Sequence, residues 1–88
     1  MRIKSGFMLR EVAGSYVVVA VGERSAEFNG MVSLNETGAF LWKASEKDAG
    51  KDNLIQSLMT QYEVSEEQAS KDVDKFIEMI TENGFAED

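Results

Sequence analysis

Six consecutive apolar residues, Tyr16-Val17-Val18-Val19-Ala20-Val21, sit between Gly14 and Gly22 and constrain the fold more than any other stretch of the chain. The run is β-branched and apolar on both alternating faces. That pattern suits a strand covered on both sides, which is usually a central one. It is far too short to span a bilayer as a helix. In a chain of 88 residues, the rest must supply its neighbours and its cover. Phe7-Met8-Leu9-Arg10-Glu11-Val12 reads as the preceding strand, with Ala13-Gly14-Ser15 as the turn between them. After a polar stretch from Gly22 to Ser25, Asn29-Gly30 stands between Ala26-Glu27-Phe28 and Met31-Val32-Ser33-Leu34. Asn-Gly favours the positive φ angles of a tight hairpin, so Met31–Leu34 is expected to be a third strand, with 26–28 as a small hairpin arm.

The remainder carries helical signals. Asn35 is an N-cap residue followed by Glu36 in the positive first turn, and Leu34 and Ala39 have hydrophobic-staple spacing. Ala39-Phe40-Leu41-Trp42 is apolar nearly all round, as in a buried helix. Gly38 within it costs about 1 kcal/mol relative to Ala, which a close backbone approach, for instance to the sheet, would offset. Glu46–Lys51 reads as a polar loop. Leu54, Ile55, Leu58, Met59 and Tyr62 then form one apolar stripe on a helix from about Asp52 to Tyr62. Ser65-Glu66-Glu67-Gln68 matches a capping box, with Val64 and Ala69 as its staple. The helix it opens carries Ala69, Val73, Phe76, Ile77 and Ile80 on one arc, widened by Met79. Asn83-Gly84 is a helix stop, after which Phe85 should fold back onto the helix end. The expected fold is α+β: a short three-stranded antiparallel sheet followed by three helices, a winged-helix-like layout forming a single domain over residues 1–88.

Composition narrows the chemistry. With no His and no Cys, the chain lacks the commonest general base, the thiolate nucleophile and the commonest transition-metal ligands. No catalytic residue, metal site or cofactor is expected. The N-terminal segment has two basic residues but no apolar stretch of the kind a signal peptide carries, so a cytoplasmic location is expected. Residues 44–88 hold four Lys and twelve Asp/Glu, a net of −8, whereas residues 1–43 have a net of +1. The acidic helical half opposes both phosphate backbones and anionic membranes.

The string Val32-Ser33-Leu34-Asn35-Glu36-Thr37-Gly38-Ala39-Phe40-Leu41-Trp42 can be read simply as a strand entering a capped helix. Together with Tyr16–Val19, Phe28–Met31, Asp72-Val73-Asp74-Lys75-Phe76-Ile77 and Asn83-Gly84-Phe85, it resembles the family of the PQQ-biosynthesis protein D, whose members are RiPP recognition elements. The resemblance covers almost the whole chain, and Leu-Asn-Glu-Thr is its most specific part. It implies a non-catalytic, peptide-binding chaperone. Such a domain takes the leader of a ribosomally made precursor peptide and presents it to a modifying enzyme, often a radical S-adenosylmethionine enzyme. It also implies where the leader adds: as an extra strand at Met31, Val32, Ser33 and Leu34, in a cleft walled by Val73, Phe76, Ile77 and Ile80. The connection from Gly22 to Gly30 is longer than in short members, so it bears on how open that edge is.

Two other functions share parts of this pattern. A winged-helix DNA-binding regulator has the same helical layout, but its last helix would carry Glu66, Glu67, Asp72, Asp74, Glu78 and Glu82 against only Lys71 and Lys75. A structural module could use the same strand edge merely to dimerise. The charge argument predicts no shifted band when the protein is mixed with random-sequence duplex DNA at physiological salt. A band that fades steeply with added salt would reinstate the regulator.

Overall fold

The computed structural model describes residues 2–22, 31–47 and 49–87. Its elements are β1 (Arg2–Ile3), β2 (Phe7–Val12), β3 (Ser15–Ala20), β4 (Val32–Leu34), α1 (Glu36–Ser45), α2 (Lys51–Tyr62), α3 (Glu66–Glu82) and β5 (Ala86–Glu87). The main sheet is antiparallel in the order β2-β3-β4, so the β-branched run is central as expected, but of its residues in β3 only Val18 is buried, so the cover expected on both faces is found on one. The expected α+β arrangement of a three-stranded sheet and three helices is present. Ala26–Phe28 and Asn29-Gly30, expected to form a hairpin arm and its turn, lie outside the described residues, as does most of the 22–30 connection.

Alternation along the strands selects the sheet's inner face. Val18 has no exposed surface, and Phe7, Leu9, Val32 and Leu34 pack against the core beside it. Met8 and Val12, on the opposite face of β2, are exposed. Ala13 and Gly14 join β2 to β3 with φ of 52° and 81°. Positive φ at both positions is what a two-residue type I′ turn demands, and an alanine there carries the strain that glycine avoids.

The helices begin and end much as their caps dictate. The Asn35 side chain accepts a hydrogen bond from Gly38 N–H at 2.7 Å. A Cβ on Gly38 would lie 3.1 Å from Asn35 Oδ1 and 3.4 Å from Leu34 Cβ. The glycine therefore lets the end of β4 close onto the first turn of α1, which is the close approach that offsets its helix penalty. Helix α2 starts at Lys51, one residue before the expected position. At α3, Ser65 Oγ accepts from Gln68 N–H at 3.1 Å, but the Gln68 side chain donates forward to Asp72 Oδ1 at 3.0 Å. Only half of the expected capping box forms, because Asp72 one turn on offers Gln68 a charged acceptor.

The C-terminal stop is a full Schellman motif. Gly84 adopts φ 72°, its N–H reaches Thr81 O at 3.2 Å, and Phe85 N–H reaches Ile80 O at 2.8 Å. Phe85 is thereby turned into the interior, with no exposed surface. Its ring centroid lies 4.7 Å from that of Phe7 and 5.6 Å from that of Trp42, the latter edge-on. The expectation that Phe85 folds back is met, and the ring reaches further, joining sheet and α1. Lys4 N–H then donates to Phe85 O at 2.8 Å, and β1 pairs antiparallel with β5, Arg2 opposite Glu87 and Ile3 opposite Ala86. This second, two-stranded sheet has no counterpart in the sequence-based expectation.

Buried around these rings are Leu41, Trp42, Leu54, Leu58, Ala69, Val73 and Ile80. Among the described residues, Ser45 is the one buried polar residue, and its hydroxyl has no partner. Removing an unsatisfied buried hydroxyl relieves a desolvation penalty of about 1–3 kcal/mol, partly offset by the small void left. Ser45→Ala is therefore expected to be neutral or stabilising in urea denaturation. Phe85→Ala, which deletes the ring shared by helix and sheet, should cost about 3–5 kcal/mol. A Ser45→Ala protein less stable by more than about 1 kcal/mol would contradict the burial of an unpartnered group.

Candidate functional site

Among the described residues, β4 is an outer strand of the main sheet, and its hydrogen-bonding directions follow from the register. β3 pairs with β4 as Tyr16↔Leu34, Val17↔Ser33 and Val18↔Val32, and β2 pairs with β3 from Phe7↔Ala20 to Val12↔Ser15. Val21 N–H donates to Gly6 O at 2.8 Å, which identifies Gly6 and Val21 as a bonded pair in that same register. In an antiparallel ladder bonded and non-bonded pairs alternate. Val17, like Val19 and Val21, therefore turns its N–H and C=O toward β2, while Tyr16 and Val18 turn theirs toward β4. Val32 and Leu34 consequently bond inward to β3. Ser33, opposite Val17, points both its N–H and its C=O outward at the open edge. The two-residue hairpin at 13–14 agrees, since it is closed by the bonded pair Val12↔Ser15.

Beside this edge lies a groove of about 240 Å³ between β4, the start of α1 and one flank of α3. Leu34, Leu41, Phe76 and Met79 supply its apolar surface. Ser33, Asn35 and Thr37 line it from the strand and the α1 cap, and Asp72 and Lys75 from α3. Phe76 is 4% exposed, so it is largely a core side chain that lends one surface to the groove floor. Asp72 already accepts from Gln68, whereas Lys75 has no ion pair among the described residues and its charge is free to meet a ligand.

The residues anticipated from sequence divide between groove and core. Val32 and Leu34 are half-buried on the inner side of β4, Ser33 is exposed at its edge, and Met31 lies one residue before the strand at 70% exposure. On α3, Phe76 lines the groove. Val73 and Ile80 have no exposed surface and belong to the interior. Ile77 is half-buried against the core and does not line the groove. The wall that α3 presents is Asp72, Lys75, Phe76 and Met79, rotated by part of a turn from the centre of the apolar arc. Met79 at the margin of that arc was the sequence signal for this side, and Asp72 and Lys75 carried none.

The groove is poor in ionisable side chains among the described residues. Its ionisable groups are one carboxylate and one ammonium, and no group of three or more His, Cys, Asp or Glu among the described residues is arranged to hold a metal ion. A raised pKa is found instead at Tyr62, where burial first, then the charge of Glu36 and a hydrogen bond to it, hold the phenol above its ordinary value of 10.0. What the site offers is a donor and an acceptor on one strand edge above an apolar trough, the requirements for adding an extended polypeptide strand. No described helix is long and apolar enough to cross a membrane.

Comparison with known proteins agrees with this geometry. The family model for coenzyme PQQ synthesis protein D matches residues 7–86. A search among curated proteins matched none of them. Among solved structures, a lasso peptide synthetase B1 complexed with the leader peptide superposes with a TM-score of 0.75 at 22% identity, covering 99% of this chain and 96% of that one. TbiB1 in complex with the TbiA(beta) leader peptide superposes with a TM-score of 0.72 at 14% identity, covering 99% of this chain and 100% of that one.

The ladder geometry makes a prediction that needs no ligand. Proline at position 32 deletes an N–H bonded to β3, whereas proline at 33 deletes one that faces outward. Val32→Pro should lower the thermal midpoint by many degrees, and Ser33→Pro by only a few. Equal losses in a melt followed by circular dichroism would contradict the assigned directions.

Proposed function

The chain belongs to the coenzyme PQQ synthesis protein D family, and from that premise we propose that it is a non-catalytic adaptor for a ribosomally made precursor peptide. It binds the peptide's leader and presents the rest to a modifying enzyme, a radical S-adenosylmethionine enzyme in our reading. The observation that carries this is the open β4 edge, with Ser33 N–H and C=O turned outward beside the trough of Leu34, Leu41, Phe76 and Met79. The solved relatives bound to leader peptides support the same reading.

The leader joins β4 as a fourth strand. Hydrogen bonds to Ser33 set its register, and apolar side chains that enter the trough supply most of the affinity. Burying such a side chain is worth about 1.5–3 kcal/mol. Micromolar affinity corresponds to about −8 kcal/mol, so the gross contact energy must exceed that figure by the several kcal/mol that association costs, which calls for contacts beyond two anchors and one pair of backbone bonds. Binding leaves the acidic outer face of α3, which carries Glu66, Glu67, Asp74, Glu78 and Glu82, free for the enzyme.

Titration of isotope-labelled protein with a synthetic candidate leader peptide tests the proposal. Amide shifts should concentrate in residues 31–35 and 69–81. Shifts centred on Leu54–Tyr62 would refute strand addition while leaving peptide binding intact, and no shifts at several hundred micromolar peptide would refute the adaptor role.

A further inference from the structure

The outward pair on Ser33 fixes more than where a peptide binds; it fixes which of its residues are read. Resting on the adaptor reading above, we infer that the chain recognises a leader segment of the form apolar–any–apolar, with the two anchors at positions i and i+2. Residues directly opposite one another in a sheet point to the same face. Ser33 shares the outer face with Val17, while Val32 and Leu34 share the inner face with Val18 and Tyr16. The peptide residue opposite Ser33 therefore projects to the outer face, away from the trough. Its two neighbours, opposite Val32 and Leu34, project inward. This holds whether the added strand runs parallel or antiparallel, because alternation does not depend on direction.

The groove's dimensions agree. Two side chains at i and i+2 stand about 6.7 Å apart along a strand. A space of about 240 Å³ is about eight water volumes of ~30 Å³ each, which suits two aliphatic side chains better than two indoles. The edge is also short. Beyond Leu34 the chain turns at Asn35 into α1, and Asn35 spends its side chain on Gly38 N–H and its carbonyl on Ala39 N–H. Ser33 is thus the one residue within β4 that offers both outward groups, so the recognised core is about three residues long. At the α3 rim Asp72 and Lys75, the latter without an ion pair among the described residues, place one charge of each sign beside the anchors.

Selection of a displayed library of random dodecapeptides on the purified chain tests this. Ser33→Pro protein, confirmed folded by circular dichroism, serves as the counter-target. The expected result is enrichment of two aliphatic residues separated by one variable position, in peptides lost on the counter-target. In a synthetic selected peptide, changing either anchor to Ser should weaken binding tenfold or more, and changing the middle residue should alter it less than threefold. N-methylation at each position in turn should abolish binding at one of them at least, which tests backbone bonding without any protein variant. Ser33-dependent peptides whose anchors lie at i and i+1 or i and i+3 would overturn the register while sparing the adaptor. Helical spacing with no dependence on Ser33, or no enrichment at all, would overturn both.

Discussion

The turn of the chain at Gly84 is the constraint on which the rest of the molecule depends. By taking a left-handed conformation it ends α3 and swings Phe85 into the interior, where the ring meets Phe7 from the sheet and Trp42 from α1. One side chain thus joins three layers of the structure, and the next two residues pair with β1. Small domains bury limited apolar area and tolerate little slack, so a single shared ring carries a large part of the packing. Its position also holds α3 at a set distance from the sheet. The trough between α3 and β4 is the space left over once Val73, Phe76 and Ile80 have been packed on that side.

Function then rests on the β4 edge, one of the two outer strands of the β2-β3-β4 sheet, and on the trough beside it. β4 is three residues long and turns at once into α1, with Asn35 and Gly38 making the corner tight. A short edge with one outward donor and one outward acceptor is a weak template for indiscriminate strand pairing. Set beside an apolar trough, it becomes selective, because a peptide gains appreciable affinity only when its backbone and alternate side chains fit together. The acidic field of the helical half acts on a different surface and disfavours polyanions there.

Much of this was legible from residue order. Caps at Asn35 and Ser65, the stop at Asn83-Gly84 and the six-residue β run all carry local chemistry that survives folding, and each element stands within about two residues of its expected bounds. The misses have physical causes. β1 and β5 are two residues each and 85 positions apart in partners Arg2 and Glu87, so no periodicity betrays them. Gln68 found Asp72 a better acceptor than a capping box would offer. The apolar arc of α3 identified the inward face but not which flank of it borders the groove. Val73 and Ile80 therefore fell in the core, and Asp72 and Lys75, polar residues on an otherwise solvated helix, gave no sign of facing the site. Ladder parity, which singles out Ser33, is a property of paired strands and could not be read from one strand alone.

The central claim is that Ser33 holds its backbone outward to receive a peptide strand, and amide hydrogen exchange at three consecutive residues tests it most directly. In the free protein, Val32 and Leu34 should be protected by their bonds to β3 while Ser33 exchanges freely. Saturation with the leader peptide should leave the first two unchanged and slow Ser33 markedly. A Ser33 amide already protected in the free protein, or still exchanging freely in the saturated complex, would contradict the account.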